Sequence, residues 1–295
     1  MIRLKIKNLC YSFLASLLIL KGYDKVVDGF YLYKISTPKN LSKIEHLSLQ
    51  SSCLDLPLTQ EALNQPYYYL ASGSQCFVFV SQDKKFVLKF FNHHRWKTPQ
   101  YLGKISLPFT TNWIRLRQEG LRSTYKSCCF CINELSEETG VINLELMPNP
   151  KYSSNITLYN RLGKRYDVAL NSMTFILQKH ADSTAKKFLK LKAAHEDQEA
   201  KILLDQLFDH LIARRLKGFT DKDPNLLNNF GLIDDQIVSI DIGGLIKDPK
   251  KDLSYFYNHE LKKVTRQLIP WLKNHYPELI PYTYEKIALL KKESP

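Results

Sequence analysis

The chain has 295 residues and a formal net charge of +13 at pH 7. Hydrophobic residues make up 44% and charged residues 24%, which is an ordinary globular composition with room for one large or two modest domains. Neither a disulfide framework nor a zinc site is indicated. The cluster of Cys128, Cys129 and Cys131 lacks paired C-x-x-C spacing, so reduced and buried thiols are expected.

The positive charge favours acidic partners such as phosphates, nucleic acid or anionic lipid, without choosing among them. No zinc-finger, homeodomain or RNA-recognition motif accompanies the lysines, so nucleic acid is not the expected partner. P-loop, H-E-x-x-H and G-x-S-x-G motifs are absent too. The histidines show no metal-ligand spacing, and the adjacent pair His93 and His94 is expected to be exposed.

Residues 1–66 are interpreted as an N-terminal extension. Arg3, Lys5 and Lys7 precede an apolar run over residues 9–20, which is shorter than the about 20 residues that span a bilayer. This is how a secretory signal begins, yet no small-x-small cleavage site follows. A buried amphipathic helix and an export or membrane-anchoring signal therefore both stay open. So does the location, which is cytoplasmic, or membrane-anchored or secreted if residues 1–20 act as a signal.

From residue 67 the pattern changes to strands. Residues 67–70, 77–80 and 86–91 are strand-like segments separated by short polar stretches, and they predict a three-strand meander. Lys89 lies in the last of these strands between apolar neighbours. Its ammonium must therefore reach outward to solvent or be paired with an anion.

The remaining elements follow from apolar spacing. Helices are predicted at residues 41–49, 59–63, 111–138, 200–212, 255–269 and 272–292, and strands at residues 141–147, 156–159, 166–170 and 174–179. Gly140 and Gly218 are expected to stop the two long helices. Pro270, Pro277 and Pro281 are expected to interrupt the last ones.

Polar side chains are densest between residues 221 and 241. Asp223 and Asn228 have D-x-x-x-x-N spacing, and a turn at Asp234-Asp235 leads into a β-branched strand that ends at Asp241. A strand-end Asp with an Asn from the adjacent loop would put two oxygen ligands on one Mg²⁺ ion. Turn formation is the alternative interpretation, because Asn, Asp and Gly are also the residues that loops need.

This order of residues resembles the protein-kinase-like superfamily. Val87-Leu88-Lys89 stands where kinases have V-A-I-K, and Asp241-Ile242-Gly243 stands where they have D-F-G. The likeness covers residues 67–244 and is nearest to small, atypical members such as the aminoglycoside- and toxin-type kinases. The segment around Asp223 is also similar to a family of chlamydial proteins, to which we attach no function.

The resemblance implies an α+β, kinase-like two-lobed fold. The amino lobe, residues 67–180, would be an antiparallel sheet, and the carboxy lobe, residues 181–295, would be helical and shortened. ATP and Mg²⁺ are the implied cofactors. By position, Gly73 and Gln178 would contact the nucleotide, Lys89 would hold its α- and β-phosphates, Asn228 and Asp241 would bind Mg²⁺, and Asp223 would be the base.

Departures from the family pattern leave alternatives open. The glycine-rich loop keeps only Gly73, and the H-R-D triplet reads Asp221-Lys222-Asp223, so its histidine is missing. The metal ligand among Asn225, Asn228 and Asn229 is not fixed by one sequence. Glu119 and Glu134 are both candidates to pair with Lys89.

The expected function is an atypical ATP-dependent phosphotransferase that moves the γ-phosphate to a hydroxyl of an unknown protein or small molecule. A catalytically inactive pseudokinase, or another nucleotide-binding or interaction module, is the alternative. A basic adaptor on a membrane surface or a nucleic acid is the third hypothesis, with residues 9–20 as the membrane-associating segment.

Overall fold

The computed structural model describes residues 2–38, 52–97, 108–152, 155–222, 224–248 and 253–292. An eight-stranded sheet with flanking helices forms the amino lobe, and a mainly helical carboxy lobe follows it. The α+β class and the two-lobed arrangement expected from the sequence are confirmed. The predicted helix at residues 41–49 lies outside the described residues.

The sheet of the amino lobe has the strand order β1-β5-β8-β4-β3-β2-β6-β7. Its strands are β1 (Ser52–Cys53), β2 (Tyr67–Ser72), β3 (Cys76–Ser81), β4 (Phe86–Phe91), β5 (Val141–Glu145), β6 (Asn155–Tyr159), β7 (Arg165–Ala169) and β8 (Phe175–Lys179). Neighbouring strands are antiparallel, except that β2 and β6 pair in parallel. The predicted meander is therefore present as β2, β3 and β4.

Of the amino-lobe helices that the structure describes, two precede the sheet in the chain and four lie between its strands. They are α1 (Ile2–Val26), α2 (Leu32–Ile35), α3 (Leu56–Leu63), α4 (His93–Trp96), α5 (Pro108–Glu134) and α6 (Ser136–Thr139). The single helix predicted over residues 111–138 is thus two helices, because the chain leaves helical geometry at Leu135. Gly140 ends α6 in the left-handed region, at φ 63°.

Helix α1 contains the apolar run at residues 9–20. From residue 15 to Val26 every side chain is exposed, so the expectation of a buried helix there is wrong. After α1 the chain enters the lobe, where Phe30 packs against Phe77 and Phe79 with ring centroids 5.3 and 5.1 Å apart. No helix in the described part of the chain is long and apolar enough to cross a membrane.

The carboxy lobe is built around the long helix α8. Its elements are β9 (Asp182–Ser183), α7 (Thr184–Ala193), α8 (Asp197–Leu216), β10 (Phe219–Asp221), β11 (Phe230–Ile233), β12 (Gln236–Ser239), β13 (Leu245–Lys247), α9 (Leu253–Tyr255), a π-helical turn (Phe256–Glu260), α10 (Leu261–His275) and α11 (Ile280–Lys292). Gly218 follows α8 at φ 87°, as predicted. Asp234 and Asp235 form the predicted turn, with φ values of 48° and 60°.

The prolines near the C-terminus only partly fit the prediction. Pro277 begins a short 3-10 turn and Pro281 lies in the first turn of α11, where no N–H is needed. Pro270 lies inside α10 and does not interrupt it. It is on the exposed side of the helix, where the carbonyl that loses its partner can bind water.

Each lobe has its own apolar core, and a third apolar cluster joins the two lobes. Phe91, Tyr125 and Cys128 from the amino lobe pack with Ile242 and Leu245 from the segment after β12. Ser127 on α5 strengthens this junction. Its hydroxyl donates to the carbonyl of Ile242 and accepts from the N–H of Leu245 at 2.8 Å.

His93 corrects one expectation, because its side chain is buried at 3% exposure whereas His94 is exposed. The His93 ring lies 2.7 Å from the hydroxyl of Thr174, and burial lowers its pKa to about 4. The folded protein therefore keeps this imidazole neutral below pH 6.5, the ordinary value, while the unfolded chain takes up the proton. The contribution of His93 to the free energy of unfolding is therefore complete above pH 6.5, and it is lost as the pH drops from 6.5 toward 4.

We expect His93→Gln to reduce this loss. Between pH 7.5 and pH 5 the free energy of unfolding of the wild-type protein should fall by about 2 kcal/mol more than that of the variant. Urea unfolding at both pH values measures the difference. His94→Gln is the matched control and should keep the wild-type pH dependence, and equal pH dependence in all three proteins would contradict the prediction.

Candidate functional site

A cavity of about 270 Å³ lies between the amino-lobe sheet and the β11–β12 hairpin. Each described residue that the sequence assigns to the site lines it, namely Gly73, Lys89, Gln178, Asn228 and Asp241. Asp223 lies outside the described residues. The structure thus brings together residues that are up to 168 positions apart in the chain, from Gly73 to Asp241.

Lys89 points into this cavity. It lies in the middle of the sheet, opposite Val78 of β3 and Ile176 of β8, which places its side chain on the face toward the carboxy lobe. Its ammonium donates to the carbonyl of Ile240 at 2.5 Å. Burial lowers the lysine pKa, and the nearby carboxylate of Asp241 opposes this shift.

Neither glutamate that the sequence offered is the partner of Lys89. Glu119 faces Arg115 at 3.6 Å on the exposed side of α5, and Glu134 faces Lys247 at 2.6 Å. The expectation is wrong because α5 presents a different face to the cavity, which carries Thr124 and Cys128. The sequence had left the direction of the lysine open between solvent and an anion, and apolar spacing had not fixed the rotation of this helix.

Asp241 follows β12 and is exposed to the cavity. One of its carboxylate oxygens accepts from the N–H of Gly243 at 3.2 Å. The backbone before it is fixed by Asn229, whose carbonyl accepts from the N–H of Ile240 at 2.7 Å and from that of Asp241 at 3.5 Å. The carboxylate is therefore held in place from the backbone side and keeps lone pairs for a ligand.

The asparagines of the 225–229 turn have different surroundings. The side-chain oxygen of Asn225 accepts from the N–H groups of Leu227 and Asn228, at 3.1 and 3.3 Å, and so it stabilises its own turn. Asn229 supports Asp241 through its backbone. Asn228 is exposed and lines the cavity. This geometry favours Asn228 among the candidate metal ligands.

Gln178 lines the inner wall of the cavity, and its side chain is 1% exposed. Its amide nitrogen donates to the carbonyls of Thr139 and Ser239, the latter at 3.3 Å, and ties β8 to β12. Its amide oxygen is buried and has no hydrogen-bond partner among the described residues. A buried acceptor without a donor costs free energy, so a ligand N–H delivered into the cavity would be favoured there.

The loop between β2 and β3 closes the cavity from above. The N–H of Gly73 donates to the carbonyl of Cys76 at 2.9 Å and is used within the chain rather than free for a phosphate. Gln75 reaches across the opening, and its amide donates to the carbonyl of Gly243 at 3.4 Å. A Cβ at Gly243 would lie 1.5 Å from the amide oxygen of Gln75, so this approach requires glycine or movement of Gln75.

Below the cavity, Asp221 and Arg214 form a buried ion pair that sequence reasoning missed. The guanidinium of Arg214 lies 3.7 Å from the carboxylate of Asp221, and the side chains are 1% and 4% exposed. Asp221 stands at the position of the missing H-R-D histidine, and a Cβ at Gly244 would lie 2.8 Å from its oxygen. The N–H of Lys222 donates to the carbonyl of Gly244 at 3.2 Å. These contacts fix the chain directly before Asp223.

Metal ligation by protein groups alone is not indicated in the described ranges, which contain no group of three or more His, Cys, Asp or Glu side chains that would hold an ion. Asn228 and Asp241 offer two oxygen-bearing side chains. This suits Mg²⁺, which keeps several waters and is commonly bound by one or two carboxylates plus substrate phosphates.

Comparison with known proteins found no matching family model and no matching curated protein. Among solved structures, the chain is similar to the bifunctional kinase-methyltransferase WbdD, with 15% identity, a TM-score of 0.32, and 63% of this chain and 33% of that chain covered. It thus spans about one third of that protein. It is also similar to Rv3197 from Mycobacterium tuberculosis, solved with erythromycin, with 14% identity, a TM-score of 0.34, and 92% and 75% of the chains covered. TM-scores this low support no conclusion about activity.

Proposed function

We propose that the protein is an atypical ATP-dependent phosphotransferase, which moves the γ-phosphoryl group of ATP to a hydroxyl of an acceptor. One observation carries the proposal. A lysine in the middle of a sheet has its ammonium near a strand-end aspartate, in a cavity that a loop asparagine also lines. A buried cation with spare donors and two oxygen ligands match the charge that phosphoryl transfer needs to stabilise.

The residues fit a nucleotide with Mg²⁺ in three respects. Lys89 has one N–H donated to Ile240 and two left for phosphate oxygens. Asn228 and Asp241 face the cavity with oxygens suited to Mg²⁺. The buried oxygen of Gln178 has no donor among the described residues and would accept from an amino group on a base. Bound Mg²⁺ would offset phosphate charge, while Asp223 would take the proton of the acceptor hydroxyl.

The cavity volume bears on how a nucleotide would enter. About 270 Å³ is near the lower end of ligand cavities, which run from about 300 to 1,000 Å³. Gln75 narrows the opening through its bond to Gly243. We therefore infer that the β2–β3 loop moves outward when Mg·ATP binds, and that this bond must break.

Gln75→Ala should consequently bind Mg·ATP about fivefold more tightly than the wild-type protein, because a long hydrogen bond of about 1 kcal/mol no longer has to be broken. Calorimetric titration with Mg·ATP measures this. Gln82→Ala, an exposed position in the next turn of the same sheet, is the matched control. Unchanged or weaker binding by Gln75→Ala would contradict the loop movement.

A nucleotide-binding module without turnover is the second candidate function. It is favoured by the pairing of Glu119 and Glu134 with residues other than Lys89, and by the use of the Gly73 N–H within the chain. In the kinases that the sequence resembles, a lysine-glutamate pair and the glycine loop position the phosphates for transfer.

Two measurements separate the candidates. The melting temperature should rise with Mg·ATP concentration, because a ligand that binds only the folded state stabilises it by mass action. Incubation with γ-labelled ATP should then release labelled phosphate or label the protein. Stabilisation without label transfer supports the module, and no stabilisation at all refutes both nucleotide functions.

A further inference from the structure

Helix α1 exposes an unusual amount of apolar surface. Tyr11, Phe13, Leu18, Ile19 and Leu20 are each between 63% and 71% exposed. Residues 17–20 are consecutive and apolar, and successive helical residues are about 100° apart, so the apolar surface surrounds the helix rather than forming one stripe. Contiguous exposed apolar surface of this kind marks an interaction site.

The lobe holds the chain directly after α1. Val27 and Phe30 are each 1% exposed and anchor the chain in the core, whereas the described side chains from Tyr11 to Val26 remain accessible. None of the α1 side chains that the structure describes lines the cavity around Lys89. The helix can therefore bind a partner without covering the candidate site.

The charges around the apolar run identify the class of partner. Arg3, Lys5 and Lys7 precede it, Lys21 and Lys25 follow it, and Asp24 is the first acidic residue of the chain. A second copy of α1 would bring basic ends together in both the parallel and the antiparallel arrangement. An anionic surface is complementary at both ends.

The length of the run fits the surface of a membrane. Residues 9–20 extend about 18 Å as a helix, less than the about 30 Å of a bilayer core. Tyr11 lies near the start of the run and Tyr23 lies just after its end. Aromatic rings with a polar tip prefer the boundary between lipid and water. We propose that α1 docks the protein on a membrane that contains anionic lipid, with its apolar residues inserted among the acyl chains near the headgroups.

The proposal is independent of the phosphotransferase assignment and is tested with the full chain. Sedimentation with phosphatidylcholine vesicles, with and without phosphatidylserine, measures the partition coefficient. The wild-type protein should bind the anionic vesicles at least about tenfold more tightly than the neutral ones, and added salt should weaken this binding. Recovery of the protein in the supernatant with both kinds of vesicle overturns the proposal, and so does equal binding to both.

The double variant Leu18→Ser with Ile19→Ser should lose at least about tenfold in binding to the anionic vesicles. The matched control is Leu162→Ser with Leu289→Ser, because these residues are also exposed, at 54% and 48%, and lie far from α1 in sequence. It should bind like the wild-type protein. Melting temperatures equal to that of the wild-type protein show that both variants are folded.

Two other results would reject α1 as a lipid-docking helix. Wild-type binding by the Leu18 and Ile19 variant would place the lipid contact elsewhere. Lipid-free self-association that this variant abolishes, seen by analytical ultracentrifugation, would assign the apolar surface to a second copy of the chain.

Discussion

Replacing Asp241 by alanine is expected to abolish the rise in melting temperature that Mg·ATP produces in the wild-type protein. The carboxylate lines the same cavity as Lys89 and Asn228, and within the described part of the chain it accepts one hydrogen bond, from the N–H of Gly243 at 3.2 Å. Its removal should therefore cost the fold little. Loss of groups that only support a metal ligand lowers affinity ten- to hundredfold, and loss of the ligand itself should exceed that range.

Two comparisons make the Asp241→Ala result specific. Asp209→Ala removes an exposed carboxylate on α8 and should keep the full Mg·ATP shift. ATP with a chelator should bind Asp241→Ala about as weakly as it binds the wild-type protein, because the carboxylate acts through the ion. Retention of Mg·ATP affinity in Asp241→Ala would remove the basis for both nucleotide functions.

The sequence was informative where a side chain's direction follows from a strand or a hairpin. Alternation in β4 and the apolar residues around Lys89 required either a path outward or an anion, and the structure shows the lysine directed into a cavity beside Asp241. The turn at Asp234-Asp235 fixes the register of β11 and β12 and so places Asp241 just beyond the strand. The strand and the hairpin thus located Lys89 and Asp241 in the chain, while the direction of the lysine stayed open until the neighbouring elements were known.

The sequence did not predict the direction of a side chain where that direction depends on packing between elements distant in the chain. Apolar spacing located α5 but did not give its rotation, so Glu119 and Glu134 were candidates to pair with Lys89. In the structure, Thr124 and Cys128 face the cavity and both glutamates pair with other residues. His93 and His94 are adjacent and look alike in sequence, yet one is buried against Thr174. Such differences appear only when the partner element is known.

One missed residue did leave a signal. Leu207, Leu211 and Arg214 continue one stripe of α8 at spacings of four and three, so the pattern itself placed an arginine on a buried face. A buried arginine requires a counter-charge. The nearest downstream aspartate is Asp221, which stands where kinases have the H-R-D histidine and is the residue that pairs with it.

Asp221→Asn is expected to lower the free energy of unfolding by about 3 kcal/mol, because it leaves the guanidinium of Arg214 buried beside a neutral group. Arg214 has no hydrogen bond from its three side-chain nitrogens within the described part of the chain, and burial lowers its pKa while Asp221 opposes this shift. Urea unfolding at pH 7 measures the change. Glu134→Gln is the control, since its exposed pair with Lys247 should contribute less than about 1 kcal/mol.

The double variant Arg214→Met with Asp221→Asn isolates the pair itself. Each single variant removes one charge of the pair and leaves the other buried, whereas the double variant removes both, so its destabilisation should be smaller than the sum of the two single effects by at least about 1 kcal/mol. Additive effects would show that Arg214 and Asp221 act separately. In that case the ion pair with Arg214 would not be what keeps Asp221 beside Gly244.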